Sequence, residues 1–299
     1  MKRKTKIWLG VVGFFSLGIL LFGIFGSEGR NDEYKPQNEF KLDPWIEIKL
    51  GPIDMSINKA VLYLFLASAA TILIMVWIAN RMQKKPNRVQ AAMEAAYDLT
   101  HNNIAGGNMD RSMAAKWFPF VATLFFFIWF SNMIGYLPLP TNTEHKVDVL
   151  GLELPALALY AATANLSVPL VLTLTVWISY HVEGIRAKGV RDYFKSWIPA
   201  GVTGPARVPI FIIEVISHFV RIISLSVRLF ANILAGHLLI LFMAGGLVVL
   251  LGLAAAGVFT LPMAIAFFIF EVGLIATLQA FIFATLTSIY LGNATGEAH

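Results

Sequence analysis

The chain has 299 residues, of which 57% are hydrophobic and only 14% are charged, and its formal net charge is +5 at pH 7. This balance excludes a large soluble domain and indicates an integral membrane protein. The absence of cysteine excludes disulfides and thiolate metal sites, and no phosphate-binding loop or hydrolase motif points to nucleotide or protease chemistry in this chain.

The N-terminal part of the chain changes from apolar to polar. Residues 1–25 join a basic start, MKRKTK, to an apolar run. Two interpretations stay open for them, a signal peptide and an additional membrane helix, and both leave the basic end in the cytoplasm. Residues 26–58 are polar and contain three prolines that discourage long helices, so they are predicted to form an external segment.

Residues 59–292 are predicted to form a membrane domain of five to six helices, followed by a cytoplasmic tail at 293–299. The first span, 59–80, is followed at once by basic residues, which places that end in the cytoplasm. Residues 89–112 form a moderately amphipathic helix, which we expect on the cytoplasmic surface.

Two further spans are predicted at about 115–137 and 156–181, joined by the external loop 138–155. The loop after the second of these spans is basic and is therefore cytoplasmic. Its basic residues are Arg186, Lys188, Arg191 and Lys195. Because the positive charge sits in short loops next to spans, it sets the topology, and we predict no nucleic-acid partner.

Two long apolar segments, about 206–250 and 257–292, complete the chain. Forty residues of helix would reach roughly 60 Å, whereas the hydrocarbon core of a bilayer is about 30 Å thick. The first segment must therefore tilt strongly, bend or split into a hairpin. The predicted fold class is all-α integral membrane, a multi-span helix bundle with two long tilted helices near the C-terminus.

Arg228 is the most informative residue because it interrupts an otherwise apolar stretch long enough to span a bilayer. Arginine cannot lose its proton in a protein, and a charge at membrane depth costs several kcal/mol or more. No acidic residue lies three or four positions away, so a partner charge must come from elsewhere. We therefore predict a site of ion movement around Arg228.

A polar stripe surrounds Arg228 on the predicted helix. The residues within about 40° of it on a helical wheel are Glu214, Arg221, Ser224 and Asn232. Ordinary helix–helix hydrogen bonds would also explain Ser224 and Asn232. Two interpretations stay open for Arg221, which can pair with Glu214 or extend its side chain to the membrane interface.

The last segment adds Glu271 and Gln279 to this set. If Gln279 is level with Arg228 on an antiparallel helix, His237 and Glu271 both lie roughly 12–13 Å further outward. The groups toward the cytoplasm would be Glu214, Ser217 and His218. Polar groups on both sides of a permanent positive charge favour two separate half-channels over a plain pore.

RLFANILAGHLL (228–239) and LQAFIFATLTSIYL (278–291) resemble the two signature stretches of subunit a of F-type ATP synthases. The resemblance extends more loosely from about residue 55 to 292. It implies two long tilted helices against a rotating ring of c subunits. It also implies a b-subunit stator stalk and the rest of the ATP synthase as partners, and a location across the lipid bilayer of the bacterial inner (plasma) membrane.

The resemblance also implies roles for residues by position. Arg228 resembles the essential arginine that faces the carboxylate of each passing c subunit, and Gln279 resembles the glutamine packed near it. Ser224 and Asn232 match polar positions beside the arginine. The other matches are Glu214 and Ser217 in the cytoplasmic half-channel and His237 in the external one.

Two matches are less regular. Glu271 resembles the ionisable residue of the last helix, but it precedes Gln279 by eight residues instead of the seven typical of the family. In an uninterrupted α-helix this offset rotates Glu271 by about 100°. Asn165, in TANLS, resembles a polar channel position with a weaker surrounding match.

The predicted function is that of a proton-translocating stator subunit which couples ion flow to rotation and ATP synthesis. By itself the chain is not expected to catalyse nucleotide chemistry or to hold a cofactor or metal. The alternative is a stand-alone secondary transporter with an arginine-based anion site. A purely structural anchor is disfavoured because it would not need charged groups inside the membrane.

Overall fold

Helices dominate the computed structural model, which describes residue 16 and residues 36–51, 53–142, 146–149, 152–199, 201–246 and 257–296. The α-helices are α1 (Lys59–Asn80), α2 (Arg88–Asp98), α3 (Arg111–Gly135), α4 (Ser167–Lys188), α5 (Val190–Lys195), α6 (Arg207–Leu241), α7 (Gly257–Phe270) and α8 (Ala276–Thr295), with a short helical turn at Gly106–Asn108. Described π-helical segments are Leu99–Ala105, Phe242–Gly246 and Glu271–Ile275. The 3₁₀ turns are Pro36–Phe40, Ala162–Ala164 and Gly204–Ala206.

Five segments of the described chain are long and apolar enough to cross a membrane. They are Lys59–Asn80, Arg111–Gly135, Ser167–Lys188, Gly204–Gly246 and Phe259–Thr295. The predicted all-α membrane fold with two long helices near the C-terminus is therefore confirmed. Within the described residues the first long segment contains no hairpin, because α6 passes directly into a π-helical segment. The 35 residues of α6 span about 52 Å.

Short antiparallel strand pairs occupy the connections outside the spans. They are β1 (Lys49–Leu50) with β2 (Ile53–Asp54), β3 (Leu139–Pro140) with β6 (Leu157–Ala158), and β4 (Lys146–Val149) with β5 (Leu152–Pro155). The predicted span 156–181 was placed too early, because β6 and a 3₁₀ turn take the residues before Ser167. Pairing of strands satisfies backbone groups that these loops would otherwise leave to solvent.

Side-chain caps and one glycine fix several helix boundaries. Asn58 accepts a hydrogen bond from Val61 N at 3.2 Å at the start of α1, and Asn87 accepts one from Gln90 N at 2.8 Å at the start of α2. Such caps satisfy amide groups that have no partner in the first helical turn. Helix α4 runs beyond the predicted residue 181 and ends at Gly189, whose φ of +80° suits glycine.

The contacts divide the chain into two compact units. The first contains the described residues of Met1–Lys41, Leu139–Ala158 and Ala235–Gly273. In it, α7 packs against the π-helical segment Phe242–Gly246. The side-chain amide of Asn142 donates to both carboxylate oxygens of Glu39, at 3.0 and 2.8 Å. The predicted segment 1–25 lies outside the described residues except for residue 16.

The second unit is a helix bundle formed by Leu42–Pro138, Leu159–Leu234 and Leu274–His299. Helix α3 packs against both α1 and α8, and α8 also packs against α4. Buried Asn132 accepts from Thr163 Oγ1 at 2.7 Å and donates to the carbonyl oxygen of Ala276 at 3.2 Å. This polar bridge ties α3 to the turn before α4 and to the start of α8.

A close approach at Gly135 gives a stability prediction. A Cβ atom at this position would lie 2.8 Å from Ala161 Cα and overlap the Ala161 side chain. We expect Gly135→Ala to destabilise the protein by about 1–3 kcal/mol because the backbone must shift. Thermal unfolding in detergent would measure the loss. Gly107→Ala is the matched control, since its Cβ would only reach a 3.9 Å contact. An unchanged midpoint for Gly135→Ala would contradict this packing.

Candidate functional site

A line of polar side chains lies on an exposed part of α6. Ser224, Arg228 and Asn232 follow one another at four-residue intervals, and all three are exposed. Arg228 makes no hydrogen bond or ion pair with any residue that the structure describes. Its neighbours Ile223 and Val227 are exposed as well, so the guanidinium stands on an apolar surface. A permanent charge in that position requires water or a partner from outside the chain.

An ion pair occupies the first half of α6. Arg221 Nη2 lies 3.3 Å from Glu214 Oε1, and the Arg221 guanidinium lies 5.1 Å from the centre of the Tyr290 ring on α8. Of the two interpretations open for Arg221, the structure therefore supports pairing with Glu214. Both side chains keep about one-third of their surface exposed, 28% and 33%, so the pair adds little stability.

His218 is buried next to this ion pair. Its Nε2 atom lies 3.7 Å from Glu214 Oε1, and its Nδ1 atom lies 2.9 Å from the Tyr180 hydroxyl. The imidazole also stacks on the Tyr180 ring, with 5.7 Å between the ring centres. His218 thus stands between a hydroxyl and a carboxylate, where it can take up or release a proton.

These groups meet in a polar cleft of about 300 Å³ in the second unit. Its walls come from α4, α5, α6 and α8, and its lining residues include Tyr180, Lys188, Tyr193, Ser196, Trp197, Glu214, His218, Arg221, Tyr290 and Asn293. The structure therefore brings Glu214 and His218 together, as the sequence predicts. Ser217 is half-buried on the same helix and is not among the residues that line the cleft.

Sequence reasoning missed His181 and Tyr193, which adjoin this cleft. The Tyr193 hydroxyl lies 2.6 Å from His181 Nδ1, and the His181 and His218 ring centres are 4.8 Å apart. Burial raises the pKa of the Tyr193 phenol, while a hydrogen bond with Trp197 lowers it to a smaller extent. Tyr193 therefore keeps its hydroxyl proton at neutral pH. The available signal was the pair Tyr180–His181, which shares a helix face with Trp177 one turn earlier.

His237 and Glu271 lie in the first unit and are both buried. The edge of the Phe40 ring faces the imidazole of His237, with 6.4 Å between ring centres. The carboxylate of Glu271 lies so close to Gly236 that a Cβ atom there would overlap it. Two titratable side chains therefore lie at neighbouring positions along α6.

Glu271 begins the π-helical segment Glu271–Ile275. A π-helical turn contains one residue more than an α-helical turn, and such turns often occur at functional sites. The offset between Glu271 and Gln279 relative to the family spacing is also one residue. The rotation of about 100° calculated for an uninterrupted α-helix therefore does not apply to this segment.

The two remaining predicted residues have different surroundings. Gln279 is buried on α8 beside the buried Ala276 and Ala280. Asn165 accepts a hydrogen bond from Ser167 N at 2.9 Å just before α4, which is the contact of an Asx turn. Within the described residues, no group of three or more His, Asp or Glu side chains is arranged to hold a metal ion.

Comparisons with known proteins found one matching family and several relatives of similar length. The sequence model of the family described as "ATP synthase A chain" matches residues 61–292. A protein of Rubrobacter xylanophilus named "ATP synthase subunit a" is 34% identical over 258 residues, 85% of this chain and 91% of that protein. Proteins of the same name from Hyphomonas neptunium and Pelagibacter ubique are each 32% identical over 88% of this chain, covering 97% and 98% of their own lengths.

Proposed function

Since this chain belongs to the ATP synthase A chain family, we propose that it is the proton-translocating stator subunit of an F-type ATP synthase. It exchanges protons with carboxylates of a rotating c-subunit ring and is held by a b-subunit stalk within the rest of the synthase. This assignment replaces the stand-alone transporter and the structural anchor, neither of which the family supports.

The observation that carries the proposal is Arg228, which is exposed and has no partner in the part of the chain that the structure describes. Its guanidinium stands between Ser224 and Asn232 on an apolar surface, where a lone cation is costly in a membrane. A ring carboxylate presented to this face would balance the charge. A ring of such carboxylates would supply one partner after another, which a single fixed ion pair does not.

The mechanism follows from electrostatics. A ring carboxylate enters the lipid face at low cost only when it is protonated. Next to Arg228 the ionised form is favoured, so the proton leaves by one path and the site is reprotonated from the other after the ring turns. A membrane potential contributes about 2.3 kcal/mol per charge per 100 mV. The fixed positive charge of Arg228 also opposes direct passage of protons between the two paths.

The cytoplasmic path begins at the polar cleft. Glu214 and His218 can each hold a proton there, and Ser217 lies half-buried on the same helix. The many basic residues between Arg186 and Lys195 support a cytoplasmic position for this end. The same rule supports a multi-pass chain in the bacterial plasma membrane, with the amphipathic segment near residues 89–112 and the C-terminus on the cytoplasmic side.

The external path uses His237 and Glu271. Both are buried and lie around Gly236, and the π-helical segment offsets the additional residue before Gln279. We assign Gln279 to packing near the arginine and Asn165 to a polar position of the external side, where it also forms an Asx turn before α4. Residues 26–58 are assigned to the external surface.

Side-specific labelling tests the two paths, because a chain without cysteine needs no background thiol removed. We expect Ser217→Cys to react with a membrane-impermeant methanethiosulfonate in inverted vesicles, which expose the cytoplasmic face. Asn165→Cys, at a half-buried position of the proposed external side, should react only in vesicles of the opposite orientation. Ala67→Cys, at a fully buried position, is the control that should react in neither. Reaction of both test positions from one side would contradict separate half-channels.

A further inference from the structure

His181 is a titratable side chain that the proposed function does not yet use. It lies on α4 and its ring centre is 4.8 Å from that of His218, with 49° between the ring planes. The rings of Trp177 and Trp197 also surround it, at 4.2 and 5.8 Å between centres. Two imidazoles from different helices therefore adjoin in an aromatic shell beside the polar cleft.

A tyrosine hydroxyl group lies within hydrogen-bond distance of the Nδ1 atom of each imidazole. The Tyr193 hydroxyl lies 2.6 Å from His181 Nδ1, and the Tyr180 hydroxyl lies 2.9 Å from His218 Nδ1. When the Tyr193 hydroxyl donates to His181 Nδ1, the proton of the neutral His181 ring sits on Nε2.

The second nitrogen of each imidazole, Nε2, is buried. Neither His181 Nε2 nor His218 Nε2 has a hydrogen-bond partner among the described residues, and leaving a buried polar atom unsatisfied costs about 1–3 kcal/mol. His218 Nε2 faces Glu214 Oε1 at 3.7 Å. A proton placed on His218 would therefore gain a carboxylate partner, whereas a proton on His181 would not.

The charges around the pair limit it to one additional proton. Arg221 Nη1 lies 3.5 Å from His218 Nδ1, and Arg221 is itself paired with Glu214. The other titratable groups at the cleft are Tyr180, Lys188, Tyr193 and Tyr290. Because adjacent positive charges repel, two imidazolium ions side by side are disfavoured.

Resting on the proposed function, we propose that His181 is a second proton carrier of the cytoplasmic path, placed between the Tyr193 hydroxyl and His218. Tyr193 passes its proton to His181 Nδ1 as it takes another from the cleft, so its hydroxyl stays neutral throughout. His181 Nε2 then releases its proton toward His218 Nε2, and His218 delivers it to Glu214. This step uses the His218 tautomer protonated on Nδ1, which donates to the Tyr180 hydroxyl and leaves Nε2 free to take the proton.

Packing in the second unit supports this role for Tyr193. Gly184 on α4 leaves room for the Tyr193 ring, because a Cβ atom at 184 would overlap that ring. The ring is buried while the residue lines the cleft. Its hydroxyl is thereby held between the cleft and His181, which a purely structural tyrosine would not require.

The test is ATP hydrolysis by the complete, coupled synthase in membrane vesicles whose proton gradient is dissipated by a protonophore, where turnover still requires proton transfer through this chain. We expect His181→Ala to slow turnover about ten-fold. This is less than the 10²–10⁴ typical of a sole acid–base group, because Glu214 and His218 also line the cleft. Added imidazole should restore turnover, whereas pyrazole, which has the same shape but stays unprotonated near neutral pH, should not. Tyr193→Phe should be slowed similarly.

His101→Ala is the matched control, since His101 also stacks on aromatic rings but lies away from the cleft, and it should behave like the wild type. Equal rescue by both azoles would show that His181 only fills space. Wild-type turnover in His181→Ala would likewise overturn the proposal. Arg228→Ala in the same assay separates this failure from that of the proposed function, because the proposed function predicts that Arg228→Ala loses turnover whatever the role of His181.

Discussion

Replacing Arg228 by alanine is expected to abolish ATP-driven proton pumping in inverted vesicles while the synthase still assembles. The side chain is exposed and makes no hydrogen bond or ion pair with the described residues, so its loss should not disturb the packing of this chain. In the proposed mechanism, the substitution removes the fixed charge that favours ionised ring carboxylates. Loss of such a preorganised group typically lowers rates by about 10²–10³-fold, and loss of the leak barrier reduces coupling further.

Arg228→Lys keeps a basic side chain at this position but replaces a group that cannot lose its proton by one that can. We expect it to fail as well, since lysine loses its proton when desolvated and arginine does not. Arg207→Ala is the matched control: Arg207 is an exposed arginine at the start of α6 that donates to the Val202 carbonyl oxygen, and its variant should pump normally. A fluorescent dye would measure acidification of the vesicles for each variant and the wild type, at equal amounts of assembled complex. Near-normal pumping by Arg228→Ala would contradict the proposed mechanism.

Adding one methyl group at Gly236 is expected to impair proton flow about as strongly as removing the Glu271 carboxylate. A Cβ atom at this position would overlap the carboxyl group of Glu271, so Gly236→Ala must displace that side chain. A misplacement of about 1 Å in a reacting group can cost about 10²-fold in rate. ATP-driven acidification of inverted vesicles would measure the loss, with Glu271→Gln as the reference variant.

A compensating change tests the cause. Glu271→Asp shortens the side chain by one methylene group, so the double variant with Gly236→Ala should pump better than Gly236→Ala alone. Gly245→Ala is the control, because none of the described residues lies within 4 Å of a Cβ atom there, and it should pump like the wild type. Full activity of Gly236→Ala would show that Glu271 does not need its present position.

The sequence predicted the structure well where the pattern that determines it lies within one short segment of the chain. Apolar runs identified the spans, and the four-residue spacing of Ser224, Arg228 and Asn232 placed them on one face of a helix. That inference depends only on helical periodicity, and the exposed line on α6 agrees with it. Boundaries were less accurate. The third span begins at Ser167 because strand pairing, which apolar content does not reveal, takes the residues before it.

The sequence also left choices that depend on partners distant in the chain. It allowed two fates for Arg221, and the ion pair with Glu214 settles that choice. It treated Glu271 as displaced by one residue, because periodicity assumes a regular helix and cannot anticipate a π-helical turn. It overlooked His181, whose neighbour Tyr180 is 38 positions from His218.

By itself, then, the sequence determined the membrane class, the helical segments and the position of a permanent charge within one of them. These follow from hydrophobicity and from the 3.6-residue helical repeat, both properties of consecutive residues. Only the tertiary structure decided which polar groups share a cleft and that the missing side chain of Gly236 leaves space for the Glu271 carboxylate. Such contacts arise when helices pack, and the shapes that meet there come from residues far apart in the chain.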